Sequence, residues 1–235
     1  MRVKISNGQD YAALQMHFHW GNYSSEISGS EHTVDGKRHV AEVQVVHYNT
    51  KYRTMQNARN ASDGMLVLSA FIKVIEDTEN TYYSNFIDHL KNIRYSGQST
   101  SLTMIGVRDM LPQDLRHYYT YQGSMSTPPC TENVLWILFK DPIIISRAQI
   151  EKLENSLLDP QNQTLYNTYR MTQPLYRRTV EANFNPLGND GESEIQKYSK
   201  KIEGLIQKVL DQQKSISEKS KFEIMIKKRK RHEFA

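Results

Sequence analysis

The chain has 235 residues, enough for one large domain or for one domain with an appendage. With 38% hydrophobic and 24% charged residues and a mean hydropathy of -0.67 it has the composition of a globular protein, and no run of about 18 apolar residues predicts a transmembrane helix. Residues 188–235 carry 12 Lys+Arg against 8 Asp+Glu, while residues 1–187 carry 18 of each, so the basic balance belongs to the tail and gives no reason to expect nucleic-acid binding by the body.

The first residues, Met1-Arg2-Val3-Lys4-Ile5-Ser6-Asn7, lack a long apolar stretch, so no signal peptide is expected. Residues 11–20 alternate, with Ala13, Gln15, His17 and His19 on one face and Leu14, Met16, Phe18 and Trp20 on the other. That pattern predicts a strand with a polar and a bulky apolar side. Gly29 and Asp35-Gly36 then supply turn chemistry. Residues 39–48 alternate again: His39, Ala41, Val43, Val45 and His47 share one face, and Val40, Glu42, Gln44, Val46 and Tyr48 share the other. The two strands could therefore pair. Further apolar runs at residues 65–75 and 133–140 predict more strands. Ser146 ahead of Arg147-Ala148-Gln149, with Ile150, Leu153 and Leu157 following, predicts a capped helix over residues 146–158. Beyond Gly188, the residues Ile195, Tyr198, Ile202, Leu205, Ile206, Val209 and Leu210 recur at helical spacing and predict an amphipathic helix, ending in Lys227, Lys228, Arg229, Lys230 and Arg231. The organisation expected is a β-dominated domain over residues 1–187 and a helix with a basic tail over 188–235.

His17 and His19 carry the most chemistry. Two histidines at i and i+2 on a strand project from one face, about 7 Å apart along the chain, and both imidazoles can reach one ion. A third ligand from the neighbouring strand would leave the fourth tetrahedral position open, which is the pattern of a catalytic metal site. The pair alone is weak evidence, since most such histidines are ordinary polar side chains.

Several separate blocks strengthen it. They are Gln15-Met16-His17-Phe18-His19-Trp20-Gly21, Gly29-Ser30-Glu31-His32-Thr33-Val34-Asp35-Gly36, Glu42-Val43-Gln44-Val45-Val46-His47-Tyr48-Asn49, Tyr121-Gln122-Gly123-Ser124-Met125-Ser126-Thr127-Pro128-Pro129, Trp136, and Arg170 with Gln173-Pro174-Leu175. Across residues 11–187 the chain resembles the α-carbonic anhydrases, with a nearer likeness to their secreted, salivary-type branch. The resemblance implies a large central, mostly antiparallel twisted sheet with short peripheral helices. It implies reversible hydration of carbon dioxide to bicarbonate and a proton, with Zn2+ as cofactor and no protein partner named for the C-terminal helix.

By the same resemblance His17 and His19 are the first two zinc ligands, and Gln44 stands where the family has the third histidine. Gln15 would accept a hydrogen bond from His17, and Glu42 would orient the residue at 44. Ser126 falls at the family's threonine, whose hydroxyl holds the reacting hydroxide, and Glu31 would accept that hydroxyl's proton. Val46, Val67, Met125 and Trp136 would enclose carbon dioxide, and Thr127 would border bicarbonate.

Three departures set the expectations. A neutral amide oxygen is a harder and poorer donor to zinc than imidazole, so Gln44 implies weakened binding, or none. Glu42 offers a way round, because a hydrogen bond from the Gln44 amide nitrogen would turn its oxygen toward the metal. Serine at position 126 keeps the hydroxyl and loses the stiffening methyl. Only 16 residues precede His17, whereas the family has a longer segment there that carries strands and the proton-shuttling histidine, so the chain reads as N-terminally incomplete and proton transfer as limiting. Cys130, the single cysteine, reads as a free thiol or as half of a disulfide whose partner lies in that segment.

His32, His39, His47, His89 and His117 read as structural or surface groups, and Asn22, Asn60 and Asn162 head sequons that matter only to a secreted product. Two functions remain open: a weakened zinc hydratase, and a catalytically inactive binding module of the same fold.

Overall fold

Runs of β-branched and aromatic residues with a two-residue period build most of this domain. The computed structural model describes residues 1–22, 29–103 and 105–186. Contacts divide the chain into Met1–Phe184 and Asn185–Ala235, and the description below concerns the first unit. The amphipathic helix expected over residues 188–235 lies outside the described residues.

In chain order the elements are β1 (Arg2–Lys4), β2 (Asp10–Trp20), β3 (Ala41–Asn49), α1 (Met55–Arg59), β4 (Met65–Val74), α2 (Thr81–His89), β5 (Tyr118–Gly123), β6 (Val134–Phe139), β7 (Ile143–Ile145), α3 (Arg147–Ser156) and β8 (Glu181–Ala182). The strands form one eight-stranded sheet in the order β1-β2-β3-β4-β6-β5-β8, with β7 pairing β4 off this path. Five of the pairings are antiparallel; β4 meets β6 and β7 in parallel. The mostly β, predominantly antiparallel fold expected from the sequence is what forms. The parallel step follows from the long connection after β4, which carries α2 across before the chain returns.

β2 departs from simple alternation. A bulge lies between Ala13, which faces His47, and Gln15, which faces Val46. The extra residue changes which side chains share a face. Ala13 therefore packs on the core with Met16 and Phe18, and Leu14 is left exposed. The uniform two-face assignment of residues 11–20 is corrected by that one residue. C-terminal to the bulge, His17 and His19 keep the face opposite Phe18.

β3 is buried along nearly its whole length. Ala41, Val43 and Val45 join the main core with Leu66, Leu68, Ala70 and Ile72 of β4. Its other face carries Val46 into a second apolar cluster, and Glu42 and Gln44 into the site. Truncating Leu66, which is fully buried, to alanine is expected to cost about 2–5 kcal/mol. The Asp35-Gly36 turn forms as the sequence suggests. Both residues take positive φ (51° and 74°) and Val34 bridges Lys37, as in a tight hairpin turn. The capped helix is also present: Ser146 accepts from Gln149 N, and the Gln149 side chain returns to the cap.

His47 sits fully buried on the core face, with Ala13 and Leu66 beside it in the ladder. Nδ1 donates to the Val45 carbonyl at 2.9 Å, and Nε2 has no partner among the described residues. Burial holds this imidazole down to about 4 from the ordinary 6.5. The unfolded chain therefore takes up this proton before the native chain does. The stability held by neutral His47 is whole above pH 6.5 and is lost as pH falls from 6.5 to about 4. Denaturant unfolding at about pH 7.5 and about pH 4.5 should show a smaller loss in a His47→Gln variant than in the parent chain. Equal losses would count against His47 as the source.

Candidate metal site

β2 and β3 bring the site together by register. His17 lies opposite Gln44 and His19 opposite Glu42. Ser69 of β4 lies opposite Gln44 on the other side. All these side chains emerge on the sheet face that bears the second apolar cluster, since residues two apart on a strand share a face.

Glu42 is the hub. It is fully buried, and four donors converge on it. Oε1 accepts from His32 Nδ1 at 2.7 Å, from Gln44 Nε2 at 2.8 Å and from Ser69 Oγ at 2.6 Å. Oε2 accepts from the backbone N–H of His32 at 2.9 Å. Burial alone would raise this carboxyl, but the charge and hydrogen bond of His32 and the hydroxyl of Ser69 outweigh it and bring it down to about 2. Burial likewise pushes the His32 imidazole down, and Glu42 more than reverses that. His32 Nε2 lies 2.7 Å from the Tyr121 hydroxyl, and its ring stands edge-on to Trp136.

The two hydrogens of the Gln44 amide are both committed. One goes to Glu42, the other to Glu31 Oε2 at 3.1 Å. Gln44 Oε1 is thereby turned to His17 Nε2, 3.0 Å away. The oxygen can only accept, so Nε2 of His17 carries the proton and Nδ1 is left bare. That Nδ1 is buried without a hydrogen-bond partner, and Gln15 is exposed, so the bond expected between Gln15 and His17 is not made. Burial, and next to it His19, holds His17 below its ordinary value and so neutral.

His19 is set the other way. Nδ1 donates to the Thr168 carbonyl at 2.6 Å, which leaves a lone pair on Nε2. That atom stands 3.4 Å from Glu31 Oε2 without hydrogen-bond alignment, and the contact is an ion pair only in the protonated form of His19. Both side chains are 9% exposed. The other oxygen of Glu31 accepts from the backbone N–H of Arg170 at 2.8 Å.

The remaining expected positions divide into two groups. Val46, Val67 and Trp136 are buried together in the second apolar cluster, and Met125 packs against it. Trp136 is fixed by its Nε1–H to the Ser124 carbonyl. Ser126 is half-buried and Thr127 is exposed. Among the described residues no hydrogen bond joins Ser126 to Glu31, whose oxygens are taken by Gln44 and Arg170. The bond expected there from the sequence is thus replaced by one from Gln44. A cleft of about 480 Å3 opens beside Glu31, Ser126, Trp136 and Arg170, but His17, His19 and Gln44 do not line it.

Sequence reasoning missed three partners. Ser69 could have been found, as the one hydroxyl in the largely apolar run at residues 65–75. Tyr121 was legible only as part of a block, and the Thr168 carbonyl, 149 residues from His19, left no signal at all.

Among the described residues no three His, Cys, Asp or Glu side chains form a ready-made metal cluster. Counting the amide, however, His17 Nε2 and Gln44 Oε1 face one another at 3.0 Å. Two donors on one tetrahedral zinc stand about 3.3 Å apart. His19 adds a buried, unpartnered lone pair. The donor types of His17, His19 and Gln44 are ones a divalent ion accepts, once the His17 proton moves from Nε2 to Nδ1.

Fold and site together define a mostly β protein that sets two strand histidines beside a buried carboxylate. The model of the eukaryotic-type carbonic anhydrase family matches residues 1–184, and the chain belongs to that family. It is 57% identical to human carbonic anhydrase 6 over 206 residues, which is 88% of this chain and 67% of the relative. It is 59% identical to the bovine carbonic anhydrase 6 over 184 residues, covering 78% and 58%. Human carbonic anhydrase 3 is 39% identical over 177 residues, covering 74% and 66%. The chain thus spans from 58% to 67% of the length of its carbonic anhydrase 6 relatives. No helix among the described residues is long and apolar enough to cross a membrane.

Glu42→Gln tests the hub. The variant keeps the shape but sets its own amide hydrogens against converging donors and removes the charge. It is expected to lower stability by about 3 kcal/mol or more in equilibrium denaturation. A loss below about 1 kcal/mol would show that Glu42 is not the organising group.

Proposed function

We propose that the protein is a zinc-dependent hydratase of carbon dioxide whose metal site is weakened by Gln44. Family membership supports the reaction class. The observation that carries the weakened site is the Gln44 amide, held by Glu42 and Glu31 through nitrogen and offering its oxygen beside His17.

His17, His19 and Gln44 would hold the ion. When bound, zinc supplies Lewis acidity that brings the pKa of a water to about 7. The chain's own residues do the rest. Val46, Val67, Met125 and Trp136 offer an apolar wall that suits carbon dioxide and excludes bulk water. Ser126 keeps the hydroxyl that would hold the attacking oxygen, and Thr127, exposed at the rim, would meet departing bicarbonate. Glu31 stands ready as the acceptor for Ser126, but it must first give up a hydrogen bond from Gln44. Low turnover follows from that competition.

The likeness to the secreted branch supports secretion, and the exposed turn at Asn162 suits a glycan. The second reading, an inactive binding module, draws on one observation: the Gln44 amide satisfies Glu42, Glu31 and His17 with no ion needed.

Elemental analysis after equilibration with zinc and gel filtration separates the two, with about one ion per folded chain expected. A folded chain that retains none sinks the hydratase reading. Gln44→His is expected to tighten zinc binding by about tenfold or more and to raise the hydration rate. No change in either would remove the argument from position 44.

A further inference from the structure

The cleft beside Trp136 and Arg170 joins two kinds of surface. Its apolar part includes Trp136 and Leu138, both buried, and the half-buried rings of Tyr119 and Tyr121. Leu175 and Val180 continue it outward, 54% and 44% exposed. Its volume of about 480 Å3 lies within the range of roughly 300–1,000 Å3 usual for small-molecule pockets, which are mostly apolar with a few polar groups. The cations here are Arg170 and Arg178, and they are differently placed. Arg178 is spent on the wall itself: Nε and Nη2 donate to the Leu175 and Pro174 carbonyls, each at 2.9 Å, and the guanidinium lies 5.7 Å from the centre of the Tyr121 ring. Those bonds hold a turn in which Tyr176 and Arg177 both take left-handed φ, 45° and 68°. That conformation is costly for residues with a β-carbon and persists only where the surroundings impose it, so the wall has a set shape. Arg170 holds nothing with its side chain. Its backbone N–H goes to Glu31, while its half-buried guanidinium makes no hydrogen bond or ion pair among the described residues. The Thr33 and Ser124 hydroxyls of the lining are likewise without a hydrogen-bond partner there.

We propose that this cleft is a binding site for a small aromatic carboxylate, distinct from the proposed metal site and independent of whether an ion is bound there. A guanidinium partly withdrawn from water without a counter-charge attracts an anion, and its planar fork of N–H donors matches the two oxygens of a carboxylate. A single negative charge suits the site better than a phosphate dianion, because two carboxylates border the same space. Glu31 has its oxygens on Gln44 and on the Arg170 N–H, and Asp35, exposed at the rim, forms no ion pair with either arginine. The apolar lining sets the rest of the ligand. Tyrosine rings and aliphatic side chains favour a flat hydrophobic body over an inorganic oxyanion, which would leave that surface wet.

The test uses the full chain after treatment with a chelator, so that a carboxylate held by a metal ion cannot contribute. 2-Naphthoate is titrated by isothermal calorimetry, with 2-naphthylmethanol as its neutral counterpart. One site per folded chain is expected, with a Kd below about 1 mM for the acid and binding about tenfold or more weaker for the alcohol. Arg170→Gln keeps the backbone bond to Glu31 and removes the charge. It is expected to weaken naphthoate about tenfold or more and to leave the alcohol within about twofold. A folded parent that shows no saturable naphthoate binding overturns the proposal, as do equal binding of acid and alcohol or an Arg170→Gln variant that binds naphthoate like the parent. Should Arg170→Gln fail to fold, Val180→Glu decides, because it sets a like charge on the exposed apolar rim. Naphthoate is expected to bind it about tenfold or more weakly, and unchanged affinity overturns the proposal. A chain that runs as a dimer in gel filtration and takes up no naphthoate gives the cleft to a second copy and overturns it equally.

Discussion

A carboxylate with no solvent contact organises the functional half of this domain. Removing an ionised group from water costs several kcal/mol, and the cost is offset only where enough donors converge. Glu42 receives four, from the His32 ring and backbone, Gln44 and Ser69. The three residues come from different places. Ser69 ties β3 to β4, His32 ties β3 to the preceding loop, and Gln44 is two residues along the same strand. The carboxyl, held at about 2, stays charged through any ordinary pH and so keeps all four bonds in force. Strand geometry then sets what lies next to it, because Glu42 and Gln44 must share a face, with His19 and His17 directly across.

Much of this was legible because strands have a period of two. The pairing of the histidine strand with the Gln44 strand, the turn at Asp35-Gly36 and the Ser146 cap all follow from local chemistry that repeats at fixed spacing. The grouping of Val46, Val67, Met125 and Trp136 came from resemblance; the second apolar cluster contains Val46, Val67 and Trp136, with Met125 packed against it. The failures share a cause. The bulge at Leu14 breaks the period with a single inserted residue, and composition carries no mark of it. The Gln15 bond to His17 and the Ser126 bond to Glu31 were carried over one residue at a time from a site in which position 44 is histidine. Hydrogen bonds are zero-sum at a crowded carboxylate, so changing one donor reassigned the others.

The difference between imidazole and amide at position 44 is best counted in hydrogens. An imidazole there has two nitrogens, one to give its hydrogen to Glu42 and one to give its lone pair to an ion. An amide has an oxygen for the ion and two hydrogens on its nitrogen. Glu42 takes one. The other must find an acceptor, since leaving it buried and unpaired would cost about 1–3 kcal/mol. Glu31 is the acceptor within reach, at 3.1 Å. On the proposed reading an amide at this position would act twice, once on the ion through a weaker donor and once on the hydroxyl relay through a carboxylate already engaged.

The two histidines are unequally prepared for an ion, and the reason lies in what each one's far nitrogen meets. His19 has a carbonyl behind it, which holds the proton on Nδ1 and leaves Nε2 open toward the site. His17 has no hydrogen-bond partner behind it among the described residues, so its proton sits in front, on Nε2, donated to Gln44 Oε1. An ion entering the site would find one imidazole oriented and one that must first shift its proton from Nε2 to Nδ1. An acceptor behind a metal-binding imidazole fixes the tautomer in advance. Its absence behind His17 would leave half of the histidine pair to be organised by an incoming ion, and that work would lower the affinity of the proposed site.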